Sequence, residues 1–332
     1  MWQQSRILLF AGGFTLGLAT NGMAGEVAPK FTSIDHPGAA ATEANGIITT
    51  RGPILIVGDY GDSTGEHGYL MSDGTFIMSI NFPQAVITQA YSINAGGDIV
   101  GNYSLTGPND LHGYMLRGGT FTALDFPGAV QTSARGINTA GNIVGWYDTS
   151  AGTFPQRHGF LLSGVGGVFS SIDFPGAIET EAWRINDQGE VVGRFKSLAD
   201  GKNHMYQFTS SGGFTTIADF PGGVRTAAEP GEISGGGINS AGDITGDYCS
   251  SDPCHVNIGA GFSVDTNIAG SVHGFMLRAG VYTTIDFPGG IATTAYAIDN
   301  GGDIVGAWVD SGGRIHGYLR TCQISALTPT CE

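Results

Sequence analysis

From residue 31 to residue 320 the chain is a succession of short apolar runs broken by Gly, Pro, Asn and Asp. Four kinds of run alternate, and each reads as a strand. Ala134-Arg135-Gly136-Ile137 is the first and Asn142-Ile143-Val144-Gly145-Trp146-Tyr147 the second. His112-Gly113-Tyr114-Met115-Leu116 and Phe121-Thr122-Ala123-Leu124-Asp125 represent the third and fourth. Asn138-Thr139-Ala140-Gly141 separates the first two as a hairpin turn, with Gly supplying the positive φ that such a turn demands. Gly118-Gly119, Asp73-Gly74 and Ala279-Gly280 do the same between the third and fourth. A Pro-Gly pair then ends the fourth strand, because Pro cannot continue in a central ladder.

The runs recur as one unit. His-Gly-aromatic or a variant stands at His67, His112, His158, His204, His273 and His316, with gaps of 45, 46, 46, 69 and 43 residues. Asp-Phe-Pro-Gly or a variant begins at Asp35, Asn81, Asp125, Asp173, Asp219 and Asp286, and a Thr follows seven residues later each time. Gly-Ile-Asn or a variant has its Ile at Ile47, Ile93, Ile137, Ile185, Ile238 and Ile298. Four antiparallel strands in about 46 residues is the period of a propeller blade. The expected fold is therefore all-β: a six-bladed β-propeller with four antiparallel strands per blade. The first run, Phe31-Thr32-Ser33-Ile34-Asp35, is a fourth strand, and the last, His316-Gly317-Tyr318-Leu319, is a third. The N-terminal strand is thus expected to complete the last blade and close the ring, hiding edges that a solenoid would expose.

The Gly-Ile-Asn, Gly-x-Ile-Val-Gly, His-Gly-Phe/Tyr and Asp-Phe-Pro-Gly elements together resemble the HAF family of extracellular repeats, over roughly residues 31–320. The chain departs from that pattern in having Gly rather than Ala after the histidine in five units, and Met205 in the remaining one. The resemblance implies export and repetition, and no particular activity.

Residues 1–24 add an address. Arg6, the apolar stretch of residues 7–18 and Gly22-Met23-Ala24 read as a secretory signal peptide and its cleavage site. The propeller is then expected over 25–322, with 323–332 as a C-terminal tail. No later segment is long and apolar enough to span a membrane as a helix. The product is expected to be secreted or periplasmic. Cys249 with Cys254, and Cys322 with Cys331, read as two local disulfides of an oxidising compartment, the second tying down the tail.

Composition narrows the partners. The chain has 14 basic and 29 acidic residues, a net charge of −15, so it cannot present the basic face that nucleic acid requires. At 41% apolar residues it can build a core, and its 56 glycines point to many tight turns. No cofactor motif is present.

A residue repeated in every blade is read as structural. The histidines are expected to pair across a hairpin with the Asp of Asp-Phe-Pro-Gly, and the recurrent threonines to bond loop backbone. Function is sought where the units differ. Blade four carries insertions within 225–236 and 248–272, and both fall on the side of the disc that holds the loops from strand two to three. On the strand lining the channel, Tyr91, Arg135, Trp183, Arg184 and Tyr296 vary between units and are the candidate ligand-binding residues, able to stack and hydrogen-bond a sugar. The alternative for these side chains is that they plug the funnel. Catalytic signatures are absent; Glu181, with the loop residue His255, is the nearest candidate for a paired-carboxylate hydrolase or lyase. Asp59, Asp62 and Glu66 form a weak calcium candidate. The leading expectation is a binding module for a polar extracellular ligand such as a glycan. An extracellular enzyme and a structural surface protein are the alternatives.

Overall fold

A computed structural model describes residues 28–50, 52–150, 156–164, 166–223, 236–251 and 272–321. The fold is all-β and of propeller type, built from small antiparallel meanders. The signal segment 1–24, His255, and Cys254, Cys322 and Cys331 lie outside the described residues.

The first unit comprises β2 (Ala41–Thr49), β3 (Ile54–Asp62), β4 (Gly65–Ser72) and β5 (Thr75–Ile80). The second comprises β6 (Ile87–Ile93), β7 (Ile99–Ser104), β8 (His112–Arg117) and β9 (Thr120–Leu124). Then follow β10 (Gln131–Ile137), β11 (Ile143–Asp148), β12 (Arg157–Leu162) and β13 (Phe169–Ile172). The fourth unit is β14 (Ala177–Ile185), β15 (Val191–Ser197), β16 (Asn203–Thr209) and β17 (Gly213–Thr216). The fifth contributes β18 (Ile244–Cys249), β19 (Val272–Arg278) and β20 (Val281–Ile285), preceded by an isolated Ile238–Ile244 bridge. In the last, β21 (Ala292–Ile298), β22 (Ile304–Val309) and β23 (Ile315–Thr321) are joined by β1 (Lys30–Ile34), which pairs with β23 from Lys30–Thr321 to Ile34–Gly317.

Hydrogen bonding does not divide these strands into the six expected sheets of four. It gives three four-stranded sheets, one of three strands and one of eight. Two local causes account for the difference. A single parallel pair, Glu66–Ile87, bridges the first two meanders into the eight-stranded sheet. In the fifth unit the stretch before Gly236 lies outside the described residues, leaving three strands.

Burial falls from the first strand of a unit to the fourth. All but the first residue of β6 and all of β7 are buried, whereas β9 buries only Leu124. The apolar clusters lie between units. Val100 and Met115 pack with Ala134, Ile137 and Ile143 of the following unit, and Ile47 and Ile56 of the first pack with Ala297 and Val305 of the last. Each sheet thus stabilises its neighbour by apolar burial.

The first strand of each of five units carries a register shift, as between Ala134 and Gly136. Such a bulge sets two residues against one and re-aims the local side chains and carbonyls. It also explains the glycine of the second strand. A Cβ on Gly101 would collide with the carbonyl of Gln89 and the Tyr114 ring. The departure at Met205 has a packing reason. A Cβ at Gly274 would meet Ala295 of the following unit, whereas Met205 faces Gly236 and Gly246, whose missing side chains make room for its thioether.

Candidate functional site

The features shared by all units do structural work at the periphery. His112 Nδ1 lies 3.1 Å from Asp125 Oδ1, His158 2.9 Å from Asp173 and His273 2.8 Å from Asp286. His316 reaches Asp35 at 2.6 Å, linking residues from the two ends of the chain. Pairing survives the longer spacing at His158 and slackens to 3.7 Å between His204 and Asp219. The threonines accept from loop N–H groups, Phe126 N donating to Thr132 Oγ1 at 3.0 Å and Phe174 N to Thr180 at 3.0 Å. Each loop Phe stacks on a second-strand ring that in turn stacks on the histidine, as in Phe126, Tyr147 and His158. This repeated polar girdle makes no site.

The first strands surround one axial depression of about 80 Å³, lined by the segments 46–49, 92–94, 137–139, 184–187, 237–240 and 297–300. These segments end in the hairpin turns, so the depression opens on the turn side. Its floor is Arg184. The guanidinium donates from Nη1 to the carbonyls of Arg135 (2.8 Å) and Trp183 (3.0 Å), and from Nη2 to those of Asn45 (2.7 Å) and Tyr91 (3.2 Å). One side chain therefore ties four units together. Burial, with the nearby Arg135 charge, lowers its pKa to about 9.

A second circumferential link uses the Asn of Gly-Ile-Asn. Asn94 Oδ1 accepts from Gly96 N and Asp98 N, closing its own hairpin, while Nδ2 donates to the Asn138 carbonyl of the next unit at 3.2 Å. Asn138 donates likewise to Asn186 (3.1 Å), Asn186 to Asn239 (3.0 Å) and Asn239 to Asp299 (3.1 Å). Sequence reasoning anchored this motif on its isoleucine and missed the asparagine. Its recurrence beside Ile93, Ile137, Ile185 and Ile238 was the available signal.

Above Arg184, on the loop side, equivalent positions diverge in charge. Glu43 on the first strand, Asp59 on the second and Glu66 at the start of the third are all buried in the first unit. Asn45 Nδ2 donates to Asp59 at 2.5 Å, and Gln89 Nε2 donates to Glu66. Gln89 Oε1 accepts from Tyr91 (2.5 Å) and Asn102 (3.0 Å), and Ser133 donates to Asn102 at 3.2 Å. Burial, with the charges of Glu43 and Glu66, pushes the Asp59 carboxyl well above its usual range. Asp247 fills the same place in the fifth unit, and burial raises it to about 8.

Around the first strand of the fourth unit, the chemistry is reversed. Glu181 receives Arg157 Nη1 at 2.8 Å, Arg194 Nη2 at 2.6 Å and Trp183 Nε1 at 2.9 Å. Burial alone would raise the Glu181 carboxyl, but the two arginines hold it well below the usual range. Arg157 also grips Asp148 through two bonds, at 2.9 and 3.0 Å, and lies 3.7 Å from the Trp146 ring centroid. Arg135 stacks 4.0 Å over Tyr91.

Tyr91, Arg135, Trp183, Arg184 and Tyr296 therefore meet around one axis, with the Tyr91, Trp183 and Tyr296 side chains buried. Glu181 is an ionised anchor in this arrangement, which is not the state of a general acid. The calcium candidates separate. Asp59 and Glu66 point inward, whereas Asp62 caps the tight hairpin, accepting from Thr64 N (2.7 Å) and Thr64 Oγ1 (2.6 Å). Cys249 ends β18, and its expected partner is beyond the described residues.

Solved structures of low sequence identity share this fold. A subtype N10 neuraminidase-like protein of A/little yellow-shouldered bat/Guatemala is similar at 11% identity, over 89% of this chain and 98% of that one, with a TM-score of 0.51. TolB from Acinetobacter baumannii is similar at 12% identity over 80% and 63% of the two chains, with a TM-score of 0.44. The β-propeller domain of the Trilobed protease from Pyrococcus furiosus aligns at 8% identity over 84% and 95%, with a TM-score of 0.44. No protein-family profile and no curated protein sequence matches the chain. The likeness to the N10 neuraminidase-like protein shows a shared fold and nothing about activity.

Proposed function

We propose that this protein is an extracytoplasmic binding module that recognises a polar ligand, of which a glycan is the best chemical fit, through the loop side of its axis. One observation carries this reading. Glu43, Asp59, Glu66, Gln89, Asn102 and Arg135 crowd hydrogen-bonding groups into the loop half, where a scaffold needs only apolar packing. Buried carboxylates are costly, and their concentration marks a functional region more often than a packing solution. Export, the two disulfides and kinship with the HAF repeats belong to this reading. So does the arrangement as six blades in a closed ring. It is supported by the six segments around one depression, by the β1–β23 pairing and by the packing of β2 on the last sheet.

The test is a glycan array probed with residues 25–332, repeated with Gln89→Ala and Arg135→Ala. A hit lost in either variant, with folding intact by circular dichroism, is the expected result. A hit that both variants retain would sink the axial version. Asp59 supports a second reading, a hydrolase or lyase with Asp59 as proton donor beside Glu43 and Glu66, because burial and those two charges push its carboxyl well above the usual range. That reading requires a product that disappears in Asp59→Asn.

A further inference from the structure

The ladder of asparagines is interrupted where the last unit meets the first, which has Ile48 at the equivalent place. In the last unit the equivalent residue is Asp299. Its Oδ1 does what the asparagine Oδ1 does, accepting from Gly301 N at 2.8 Å and Asp303 N at 2.9 Å. Oδ2 therefore stands where four other units place an amide nitrogen. In three of those units, those of Asn94, Asn186 and Asn239, the nitrogen donates to two acceptors. One is the carboxylate four residues on, as Asn239 to Asp243 at 3.0 Å and Asn186 to Glu190 at 2.8 Å; the other is the carbonyl of the next unit. Here an oxygen faces that setting and cannot donate.

The residue that follows in the series, Ile48 of the first unit, cannot answer with a side-chain donor either. Asp299 is only 4% exposed and lines the axial depression, and its buried Oδ2 makes no hydrogen bond among the described residues. A buried carboxylate oxygen without a partner is expensive, so a donor or a cation is missing from this wall. The depression is not suited to an anion, because both terminal nitrogens of Arg184 on its floor are already committed to four carbonyls. Beside Asp299 the lining offers the side chains of Thr49, Ser240 and Asn300, and the other lining carboxylate, Asp187, is already bonded by Thr139. One unpartnered carboxylate oxygen suits a singly charged ion better than calcium, which takes six to eight oxygens and usually several carboxylates. A space of about 80 Å³ has room for such an ion with part of its water.

We propose that the Asp299 wall of the axial depression is a binding site for a small monovalent cation, an alkali metal ion or the ammonium end of an amine, that takes the place of the missing N–H group between the last and first units. The site lies on the face opposite the proposed ligand surface and stands or falls independently of it.

The experiment is thermal unfolding of residues 25–332 at constant ionic strength in sodium, potassium, methylammonium or tetramethylammonium chloride, for the wild type and for Asp299→Asn. Binding to the folded state raises the midpoint as ligand exceeds its dissociation constant. The wild type is expected to gain about 2–4 °C in at least one of the first three salts over tetramethylammonium, which is too bulky and has no N–H. Which salt responds separates a metal ion from an amine. Asp299→Asn restores the amide donor, so it is expected to melt at or above the wild type and to respond to no salt. Titration calorimetry of the wild type with the responding cation, expected to give one site per chain, keeps the test open should the variant fail to fold. A wild-type midpoint equal in all four salts would overturn the proposal, as would the same cation response in Asp299→Asn.

Discussion

Glu43 and Glu181 occupy the same place on the first strands of two units, yet they live in opposite surroundings. Glu181 is faced by Arg194 on its own second strand and by Arg157 from the preceding unit. At the place equivalent to Arg194 the first unit has Asp59, and at the place equivalent to Arg157 the last unit has Ile315, while Glu66 takes its bond from Gln89 of the second unit. Backbone geometry is the same in both, including the register shift at Ala44/Gly46 and Ala182/Arg184. The side chains around them differ: two arginines hold Glu181 down, whereas burial, with the charges of Glu43 and Glu66, drives Asp59 up. A repeated scaffold thus fixes where side chains meet, and non-repeated residues decide what chemistry happens there. The Asp247 position adds a third case, in which burial acts without a charged neighbour.

Breaking the arginine side should cost most. Glu181→Gln leaves Arg157 and Arg194 facing each other without their shared carboxylate. A loss of about 3–5 kcal/mol is expected in urea unfolding at neutral pH. A loss below about 1 kcal/mol would mean the arginines find other partners.

The Asp247 position should show itself through pH. Its folded-state pKa is raised to about 8, against about 4 in an unfolded chain, so the folded state binds more protons between those values. Stability from this group is therefore complete below about pH 4 and falls as pH rises toward about 8, at up to about 1.4 kcal/mol per unit. Asp247→Asn should flatten that slope in urea midpoints taken from pH 4 to 9. An unchanged slope would assign the dependence elsewhere.

The smallest effect, and opposite in sign to Glu181→Gln, belongs to Asp59→Asn. The amide keeps the shape of a protonated carboxyl and removes one acid from a crowded site. A gain of about 1 kcal/mol at pH 8 is expected, vanishing toward pH 4. A loss at pH 8 would show that an ionised Asp59 is held by favourable contacts and that the two clusters are not mirror cases.

Much of this arrangement was legible along the chain. The strands around Ala134, Asn142, His112 and Phe121 fall where the apolar runs and turns put them, and the His–Asp and Thr–backbone bonds follow from spacing. The sheet count was not legible, because the Glu66–Ile87 pair joins two meanders that sequence treats as separate. Nor was the fate of Trp183. An aromatic at a channel mouth reads as a stacking surface, but its indole N–H is bonded to Glu181 and its ring is buried.

Sequence alone determined the repeat, because hairpins, turns and cross-strand pairs are set by residues within about 15 positions of one another. Only the tertiary structure decided what gathers at the axis. Arg184 bonds a carbonyl 139 residues away, and Asn94, Asn138, Asn186 and Asn239 each reach into the next unit. Those contacts depend on where whole sheets sit around the axis, and no local spacing encodes the burial that sets the charge of Asp59, Glu181 and Asp247.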